Sequence, residues 1–300
     1  MTQARPWLAH YPAGVPHDVD PAQYRSVAHL LEDSFQKHAD RPFSVCMDRW
    51  MSYGELDRLS TQLGAWLQGQ GLAPGARVAI MLPNVPQFGV TMAAVLRAGY
   101  TCVNVNPLYT ARELEHQLKD SGATAIVILE NFAHTLSEVI DRTQVRHVVM
   151  AAMGDLLGAA YGRWITFAVR HLAKMVPAYE LPLTGGRQVT RFNQALAEGA
   201  GRTLSPSTAT LNSTAFLQYT GGTTGLSKGA VLTHRNIVAA TLQAEAWFTP
   251  ALAKVGDVSR ANSIAALPLY HIFALTLSLL AIRQGASLTL IPNPRDIPKF

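Results

Sequence analysis

One eleven-residue segment concentrates the residue types that bind phosphate. Between two apolar runs the chain reads Tyr219-Thr220-Gly221-Gly222-Thr223-Thr224-Gly225-Leu226-Ser227-Lys228-Gly229. Glycines let backbone N–H groups approach an anion closely, threonine hydroxyls add donors or a metal ligand, and the lysine supplies a full positive charge. This composition predicts a loop that holds a polyphosphate.

Two other interpretations of this loop fit less well. The phosphate loop of the P-loop NTPases needs a glycine directly before its lysine and a serine or threonine directly after it. Here Ser227 precedes Lys228 and Gly229 follows it, so the match fails on both sides. A solvated hairpin turn would account for the glycines, but it explains neither the threonines nor the lysine.

The composition is that of a packed globular protein with anionic partners. Of the 300 residues, 48% are hydrophobic and 15% are charged, and the formal net charge is +5. The positive charge favours phosphates, nucleotides, acidic lipids or nucleic acid without choosing among them. The sequence has no basic stripe with interleaved aromatic residues and no nucleic-acid recognition motif, so we expect no nucleic-acid partner.

Cysteine usage and the N-terminus indicate a cytoplasmic protein. The only two cysteines, Cys46 and Cys102, lie far apart in apolar stretches, which suggests neither a disulfide framework nor a metal cluster. The first residues lack the apolar core of a signal peptide. The apolar run 265–282 is interrupted by Pro268 and His271, so we expect a buried strand and a core helix there rather than a membrane span.

From residue 27 onward, amphipathic helices alternate with short apolar runs. The spacing predicts helices over 27–39, 52–68, 85–97, 113–121 and 133–143, and strands over 43–47, 77–82, 101–105, 125–129 and 145–150. Ser52, followed three residues later by Glu55, is the expected N-cap of the second helix. Strands that alternate with helices in this way form right-handed βαβ crossovers, so the sequence predicts an α/β fold with mostly parallel sheets flanked by helices.

The pattern divides the chain into three parts. Residues 1–181 are predicted to form a first α/β subdomain. Residues 182–213 are rich in Gly, Ser, Thr and Pro, with one short helix near 192–198, and are predicted to form a connector. Residues 214–300 are predicted to open a second α/β subdomain that carries the phosphate-binding loop.

Residues 153–177 interrupt the alternation and predict a basic amphipathic helix. At 100° per residue, Arg163, Arg170 and Lys174 cluster on one side, and the opposite face collects Leu157, Tyr161, Trp164, Ile165, Ala168, Leu172 and Met175. Such a helix either lies in a membrane interface with its cations on anionic headgroups or docks as an ordinary surface helix on its own protein. The pattern alone does not choose between them.

The loop resembles the phosphate loop of the adenylate-forming superfamily of acyl-CoA synthetases, luciferases and adenylation domains. That loop reads [YT]-[TS]-[SG]-G-T-T-G-x-x-K-G, and residues 219–229 satisfy it throughout. A second family block, apolar residues leading to a histidine, is matched by 266–273. The stretches 103–110, 112–118 and 293–298 look like those of proteobacterial long-chain fatty acid:CoA ligases. The resemblance covers essentially the whole chain, and family members continue for roughly another 250 residues.

The resemblance implies a reaction and its participants. In the family, a carboxylate attacks the α-phosphorus of Mg-ATP, pyrophosphate leaves, and the thiol of coenzyme A captures the acyl-adenylate. ATP, Mg²⁺, coenzyme A and a long-chain fatty acid are therefore the expected ligands. A fatty acid partitions into membranes, so the resemblance also favours peripheral association with the anionic surface of the inner membrane. The oligomeric state stays open, a homodimer included.

The resemblance also assigns roles to individual residues. Lys228 and His271 are the expected catalytic residues, with His271 beside the reacting carboxylate, and Thr220 is the expected magnesium ligand. The β- and γ-phosphates are expected to contact Thr220, Gly221, Gly222, Thr223, Thr224, Gly225 and Lys228. Leu275 stands where some long-chain members carry a tryptophan gate, so a gate here would need Phe273 or another aromatic residue.

Other family parts are not found after His271. These are the acidic magnesium ligand, the ribose-binding aspartate, the hinge and the lysine of the C-terminal domain. We therefore expect little or no adenylation by this polypeptide alone. The alternative is a catalytically incomplete nucleotide-binding or membrane-associated fragment of a split gene.

Overall fold

Two β-sheets and the helices that cover them make up the described part of the chain. The computed structural model describes residues 5–220, 227–252, 254, 256–257 and 260–294. Its α-helices are α1 (Val27–Lys37), α2 (Tyr53–Gln68), α3 (Pro86–Arg97), α4 (Ala111–Ser121), α5 (Ala133–Ser137), α6 (Ala159–Phe167), α7 (Phe192–Gly199), α8 (His234–Leu252) and α9 (Ile272–Gln284). Its strands are β1 (Pro42–Cys46), β2 (Arg49–Ser52), β3 (Arg77–Met81), β4 (Thr101–Asn104), β5 (Ala125–Leu129), β6 (His147–Ala151), β7 (Gln188–Arg191), β8 (Thr214–Thr220), β9 (Lys228–Thr233), β10 (Asn262–Ala265) and β11 (Ser287–Leu290).

Both sheets are mostly parallel. The larger has seven strands in the order β7-β6-β5-β3-β4-β8-β9, and only the pair β8 and β9 is antiparallel. The smaller has the order β10-β11-β1-β2, and its last pair is antiparallel. This confirms the predicted α/β fold with helices flanking mostly parallel sheets.

The inner strands of the larger sheet, such as β3 and β5, are apolar on both faces because both faces are covered. In β3, Val78 and Ile80 pack into the core shared with α2 and α3, whereas Ala79 and Met81 pack into the core under α4. Fully buried parallel strands of this kind need helices on each side. Helix α3 contacts strands of both sheets, which explains why every residue in it except Gly89 is buried.

The division of the chain differs from the predicted one. Strand β7 lies inside the predicted connector and pairs in parallel with β6, and β8 pairs in parallel with β4. Residues on either side of position 214 thus contribute to one sheet. The smaller sheet combines β1 and β2 with β10 and β11, from opposite ends of the chain. The physical reason is that β8 is buried along most of its length, so its backbone groups need hydrogen-bonded strands as neighbours.

In the apolar run 265–282, α9 begins at Ile272 and packs into the core as expected. The expected buried strand is wrong: β10 lies at the edge of the smaller sheet, ends at Ala265 and is mostly exposed. None of the helices in the described ranges combines the length and the apolar composition that crossing a membrane requires. Both cysteines are free and buried. Burial raises the pKa of the Cys46 thiol to about 12 and lifts that of Cys102 well above its usual value.

A buried histidine joins the first helix to the strand that follows the loop. His234 comes directly after β9 and is 1% exposed. Its Nδ1 accepts a hydrogen bond of 3.0 Å from the backbone N–H of Val27, one of the α1 amides that have no partner inside the helix. Only a neutral ring can accept this bond. Burial accordingly lowers the pKa of His234 from 6.5 to about 4.

We expect the free energy of unfolding to fall as the pH drops from about 6.5 towards 4. The unfolded chain binds a proton at this histidine in that range while the folded chain does not, so acidification favours unfolding. Between pH 7.5 and pH 5 the loss from this residue should be on the order of 1–2 kcal/mol, measured by urea unfolding. His234→Asn should remove this pH-dependent part of the free energy of unfolding. His134→Asn, which changes an exposed histidine, should leave the pH dependence as in the wild-type chain. Equal pH dependence in the two variants would contradict the assignment.

Candidate functional site

The structure places the two ends of the phosphate-binding loop side by side. Strands β8 and β9 form a hairpin whose last paired residues are Thr220 and Lys228. Both side chains are exposed, so the hydroxyl and the ammonium group are available to a ligand. The predicted phosphate-contacting residues between them lie outside the described residues: Gly221, Gly222, Thr223, Thr224 and Gly225.

The hairpin lies at an edge of the sheet where ligands commonly bind. Strand β8 runs parallel to β4, and Gln218 near its end pairs with Asn104, the last residue of β4. The loop therefore follows the carboxyl end of a parallel strand. In open α/β sheets this edge holds the ligand-binding crevices, because the loops that follow the strands meet there.

A buried glutamine links the hairpin to the segment that carries His271. The Oε1 of Gln218 accepts a hydrogen bond of 3.1 Å from Asn104 Nδ2, and its Nε2 donates one of 3.0 Å to the carbonyl oxygen of Tyr270. Gln218 is 5% exposed. The amide thus brings the residue directly before His271 against the strand that leads into the loop.

A second buried amide holds the rest of that segment. The Nδ2 of Asn84 donates to the carbonyl oxygens of Ala265 and Leu267, and its Oδ1 accepts from the N–H of Leu269, all within 3.0 Å. Asn84 follows β3, whose carboxyl end lies at the same sheet edge as that of β4. The segment from Ala265 to His271 is therefore anchored at two points on this edge.

His271 is exposed at the start of α9. Its Nδ1 accepts a hydrogen bond of 3.4 Å from the N–H of Phe273, which makes it the N-cap of the helix. Its Nε2 has no hydrogen-bond partner within the described ranges and is free to meet a ligand. The structure thus brings two of the sequence-predicted elements together, the loop hairpin and this histidine, through the bond from Gln218 to Tyr270.

An apolar cavity of about 310 Å³ adjoins the histidine segment. It lies between α8, α9 and the smaller sheet, and its walls include Phe248, Ile264, Leu267, Leu269, Ala274 and Leu277. Leu275, at the position of the tryptophan gate in some long-chain ligases, is 1% exposed and packs in the main core, whereas Phe273 is 56% exposed. A gating role for Phe273 stays a prediction.

A family model described as AMP-binding enzyme matches residues 31–300. This chain is a member of the AMP-binding enzyme family. It is 48% identical to a long-chain-fatty-acid–CoA ligase of Yersinia pestis over 294 residues, covering 97% of this chain and 51% of that protein. The corresponding ligase of Escherichia coli O157:H7 is 47% identical with the same coverage. The chain spans about half the length of the curated relatives it matches.

Solved structures of AMP-binding enzymes share the fold. A long-chain-fatty-acid-CoA ligase from Archaeoglobus fulgidus superposes with a TM-score of 0.70 at 21% identity, over 94% of this chain and 50% of that one. The anthranilate CoA ligase AuaEII, in complex with anthranoyl-AMP, superposes with a TM-score of 0.69 at 19% identity over 92% of this chain and 47% of that one. These likenesses concern the architecture of the sheets and helices described above.

The described part of the chain offers a metal ion few protein ligands. Within the described ranges no group of three or more His, Cys, Asp or Glu side chains is placed to hold a metal ion. Thr220 offers one exposed hydroxyl oxygen at the start of the loop. Magnesium prefers oxygen ligands and usually binds through few protein groups together with substrate phosphates and water. A single hydroxyl therefore fits magnesium bound to a nucleotide.

Helix α6 and the turn that follows it expose a continuous apolar surface, here called the aromatic face. Its members are between 44% and 62% exposed: Tyr161, Trp164, Phe167, Leu172 and Met175. The rings of Trp164 and Phe167 stack at 6.0 Å, so the surface is preformed. Arg163 and Lys174 are exposed nearby.

The side of α6 opposite the aromatic face packs against the rest of the protein. A Cβ on Gly162 would lie 2.2 Å from the carbonyl oxygen of Gly154, so the backbones touch where only glycine fits. Arg170 forms an ion pair with Glu130, a buried carboxylate that Arg191 also contacts at 3.0 Å. Arg163 and Arg170 line the same cavity, as their predicted clustering requires, but Arg170 is engaged by Glu130, whereas Arg163 and Lys174 are exposed.

The bounds of this helix differ from the prediction too. The α-helix covers Ala159–Phe167 rather than 153–177, and it continues as a π-helical turn over Ala168–Leu172. A π turn holds more residues than an α turn, so it rotates the residues after it away from the 100° projection. Arg170, which pairs with Glu130, lies within this π turn.

Proposed function

We propose that this chain supplies the ATP-binding and acyl-binding part of a long-chain fatty acid:CoA ligase. The reaction converts ATP, a fatty acid and coenzyme A into acyl-CoA, AMP and diphosphate through an acyl-adenylate. The observation that carries the proposal is the hydrogen bond from Gln218 to Tyr270, which brings the phosphate-loop hairpin and His271 together beside an apolar cavity. The similarity to long-chain ligases over 97% of the chain supports this choice of substrate.

The hairpin supports the nucleotide end of the proposed site. Lys228 presents an exposed ammonium group where the phosphates would lie, and backbone N–H groups of the loop would add donors, so negative charge on the leaving pyrophosphate is offset. Bound magnesium would neutralise further phosphate charge, with Thr220 as its protein ligand from this chain. Positioning and charge neutralisation are the main contributions a protein makes to such a transfer.

The histidine segment supports the acyl end. The free Nε2 of His271 is suited to contact the carboxylate or the adenylate, and the apolar cavity beside α9 would hold the alkyl chain, whose burial is favourable by about 0.8 kcal/mol per CH₂ group. The coenzyme A thiol then attacks the carbonyl carbon of the adenylate, and AMP leaves. A second candidate function, nucleotide binding without catalysis, is favoured by the hairpin alone, because Thr220 and Lys228 are both exposed at its end.

Lys228→Ala should weaken binding of Mg-ATP about tenfold or more, because this exposed lysine supplies a full positive charge where the phosphates would lie. Isothermal titration of the 300-residue chain with Mg-ATP measures this. Lys37→Ala, which removes an exposed lysine from α1, is the matched control and should leave the affinity unchanged. Equal affinities for the wild-type chain and Lys228→Ala would refute the assignment of the loop.

Leu277→Trp should lower the affinity for oleate and leave that for Mg-ATP unchanged, because Leu277 lines the apolar cavity and the larger ring would fill it. Displacement of a fluorescent fatty acid from the chain measures the effect, which we expect to exceed fivefold. Thr276→Trp alters the neighbouring residue of α9, whose side chain does not line the cavity. If the two variants bind oleate equally well, the cavity is not the acyl site.

We also propose that the aromatic face anchors the protein to the cytoplasmic surface of the inner membrane. Trp164 and Phe167 present stacked rings to the outside, and the exposed Arg163 and Lys174 on the same helix and the segment after it would meet anionic headgroups. Amphipathic aromatic side chains beside cations are the usual composition of an interfacial helix. A long-chain fatty acid is concentrated in the bilayer, so attachment there shortens its path. A homodimer stays a prediction that light scattering would test.

Trp164→Ser combined with Phe167→Ser should reduce binding to vesicles of phosphatidylglycerol and phosphatidylcholine at least fivefold in a sedimentation assay, because it removes the largest apolar groups of the face. Trp50→Ser removes a tryptophan of similar exposure on β2 and serves as the control. The wild-type chain should bind these anionic vesicles better at low salt than at high salt. Failure of the wild-type chain to sediment with them would exclude membrane attachment through this face.

A further inference from the structure

The hairpin that carries the phosphate loop contacts one neighbouring helix at both of its ends. On the incoming side, the hydroxyl of Tyr219 donates a hydrogen bond of 2.5 Å to Asp120 Oδ2. On the outgoing side, His116 Nε2 lies 2.9 Å from the carbonyl oxygen of Ser227. Asp120 and His116 lie one turn apart on the same face of α4.

The contact between His116 and Ser227 determines which nitrogen of the histidine ring carries a proton. A carbonyl oxygen only accepts hydrogen bonds, so His116 carries its proton on Nε2 here. Ser227 directly precedes Lys228, so this contact fixes the backbone from which the lysine side chain extends.

The position of the Tyr219 side chain explains why the last residue of the loop motif, Gly229, is a glycine. Tyr219 and Gly229 face each other across the hairpin, and a Cβ on Gly229 would lie 2.9 Å from Cζ of the tyrosine ring. The hydroxyl end of the ring therefore lies against the glycine, and the hydroxyl group itself contacts α4 at Asp120. Burial and the hydrogen bond to Asp120 raise the pKa of this tyrosine, so it remains a neutral donor at physiological pH.

Helix α4 is itself fixed to the sheet. Thr110 and Glu113 form a capping box at its start, and Leu114 and Leu118 are fully buried. Gln117, between the two loop-facing residues in sequence, donates a hydrogen bond of 2.8 Å to the carbonyl oxygen of Asn104 at the end of β4. The helix is thus a rigid support that touches the sheet on one face and the loop hairpin on another.

We infer that His116 and Asp120 are positioning residues for the phosphate loop. They hold its two ends at a fixed place on α4, so that Thr220 and Lys228 are set for the phosphates before a nucleotide arrives. Preorganisation of this kind reduces the conformational entropy that the loop loses when a nucleotide binds. The inference rests on the proposed nucleotide site but concerns residues that do not contact the nucleotide themselves.

The test uses the 300-residue chain with a matched set of histidine variants. His116→Ala removes the donor to Ser227, and His116→Gln restores an N–H donor of similar reach. His134→Ala is the control, because His134 also contacts a backbone carbonyl, that of Ala178, away from the loop. Hydrogen exchange of the amides of residues 227–230 without ligand reports on loop position, and titration with Mg-ATP and with magnesium pyrophosphate reports on binding.

We expect His116→Ala to speed exchange at residues 227–230 and to weaken both ligands about three- to tenfold, the effect of losing one positioning hydrogen bond. His116→Gln should recover most of both losses, and thermal unfolding of the three variants should agree within a few degrees. Unchanged exchange and affinity in His116→Ala would overturn the inference. Absence of nucleotide binding by the wild-type chain would instead count against the proposed function, while the exchange measurement would still decide the role of His116.

Discussion

The buried amide of Gln218 is the contact on which the arrangement of the site depends. It accepts a hydrogen bond from the side chain of Asn104 at the end of β4 and donates one to the carbonyl oxygen of Tyr270, just before His271. A shift of either partner would leave a buried polar group without a hydrogen bond, which costs about 1–3 kcal/mol. Asn84 constrains the same segment from a second strand. The loop hairpin and the segment before His271, the proposed phosphate and acyl ends of the site, are therefore held together by neutral hydrogen bonds inside the protein. Such bonds are not screened by salt, unlike ion pairs at the surface.

Contiguous signals made most of the fold predictable from the sequence. A parallel strand buried on both faces leaves an unbroken apolar run, which predicts strands such as β3 and β5, and the capping box at Ser52 and Glu55 predicts the start of α2. The loop motif and the histidine block are also contiguous. The pattern did not predict strand β7 because Gln188–Arg191 is short and mostly exposed, so its sequence shows no apolar run. Gln218 and Asn84 were missed because an isolated amide has no sequence pattern.

Helix α6 shows where periodicity stops being informative. A projection at 100° per residue assumes a regular helix, but the π turn after Phe167 changes the angle, and a glycine contact between Gly154 and Gly162 selects the docked side. Neither feature can be inferred from the spacing of apolar residues. The same projection nevertheless identified Trp164 and Leu172 as members of the apolar face, because they lie on the side opposite the glycine contact.

The burial of both native thiols has a practical consequence. Thiolate is the form that reacts with alkylating reagents, and Cys46 and Cys102 are enclosed groups whose pKa values lie far above neutrality. A single cysteine introduced at an exposed position, such as one on the outer side of α6, would therefore react selectively with a maleimide dye. The chain can be labelled at a chosen site without replacing either native cysteine, which leaves its core packing untouched.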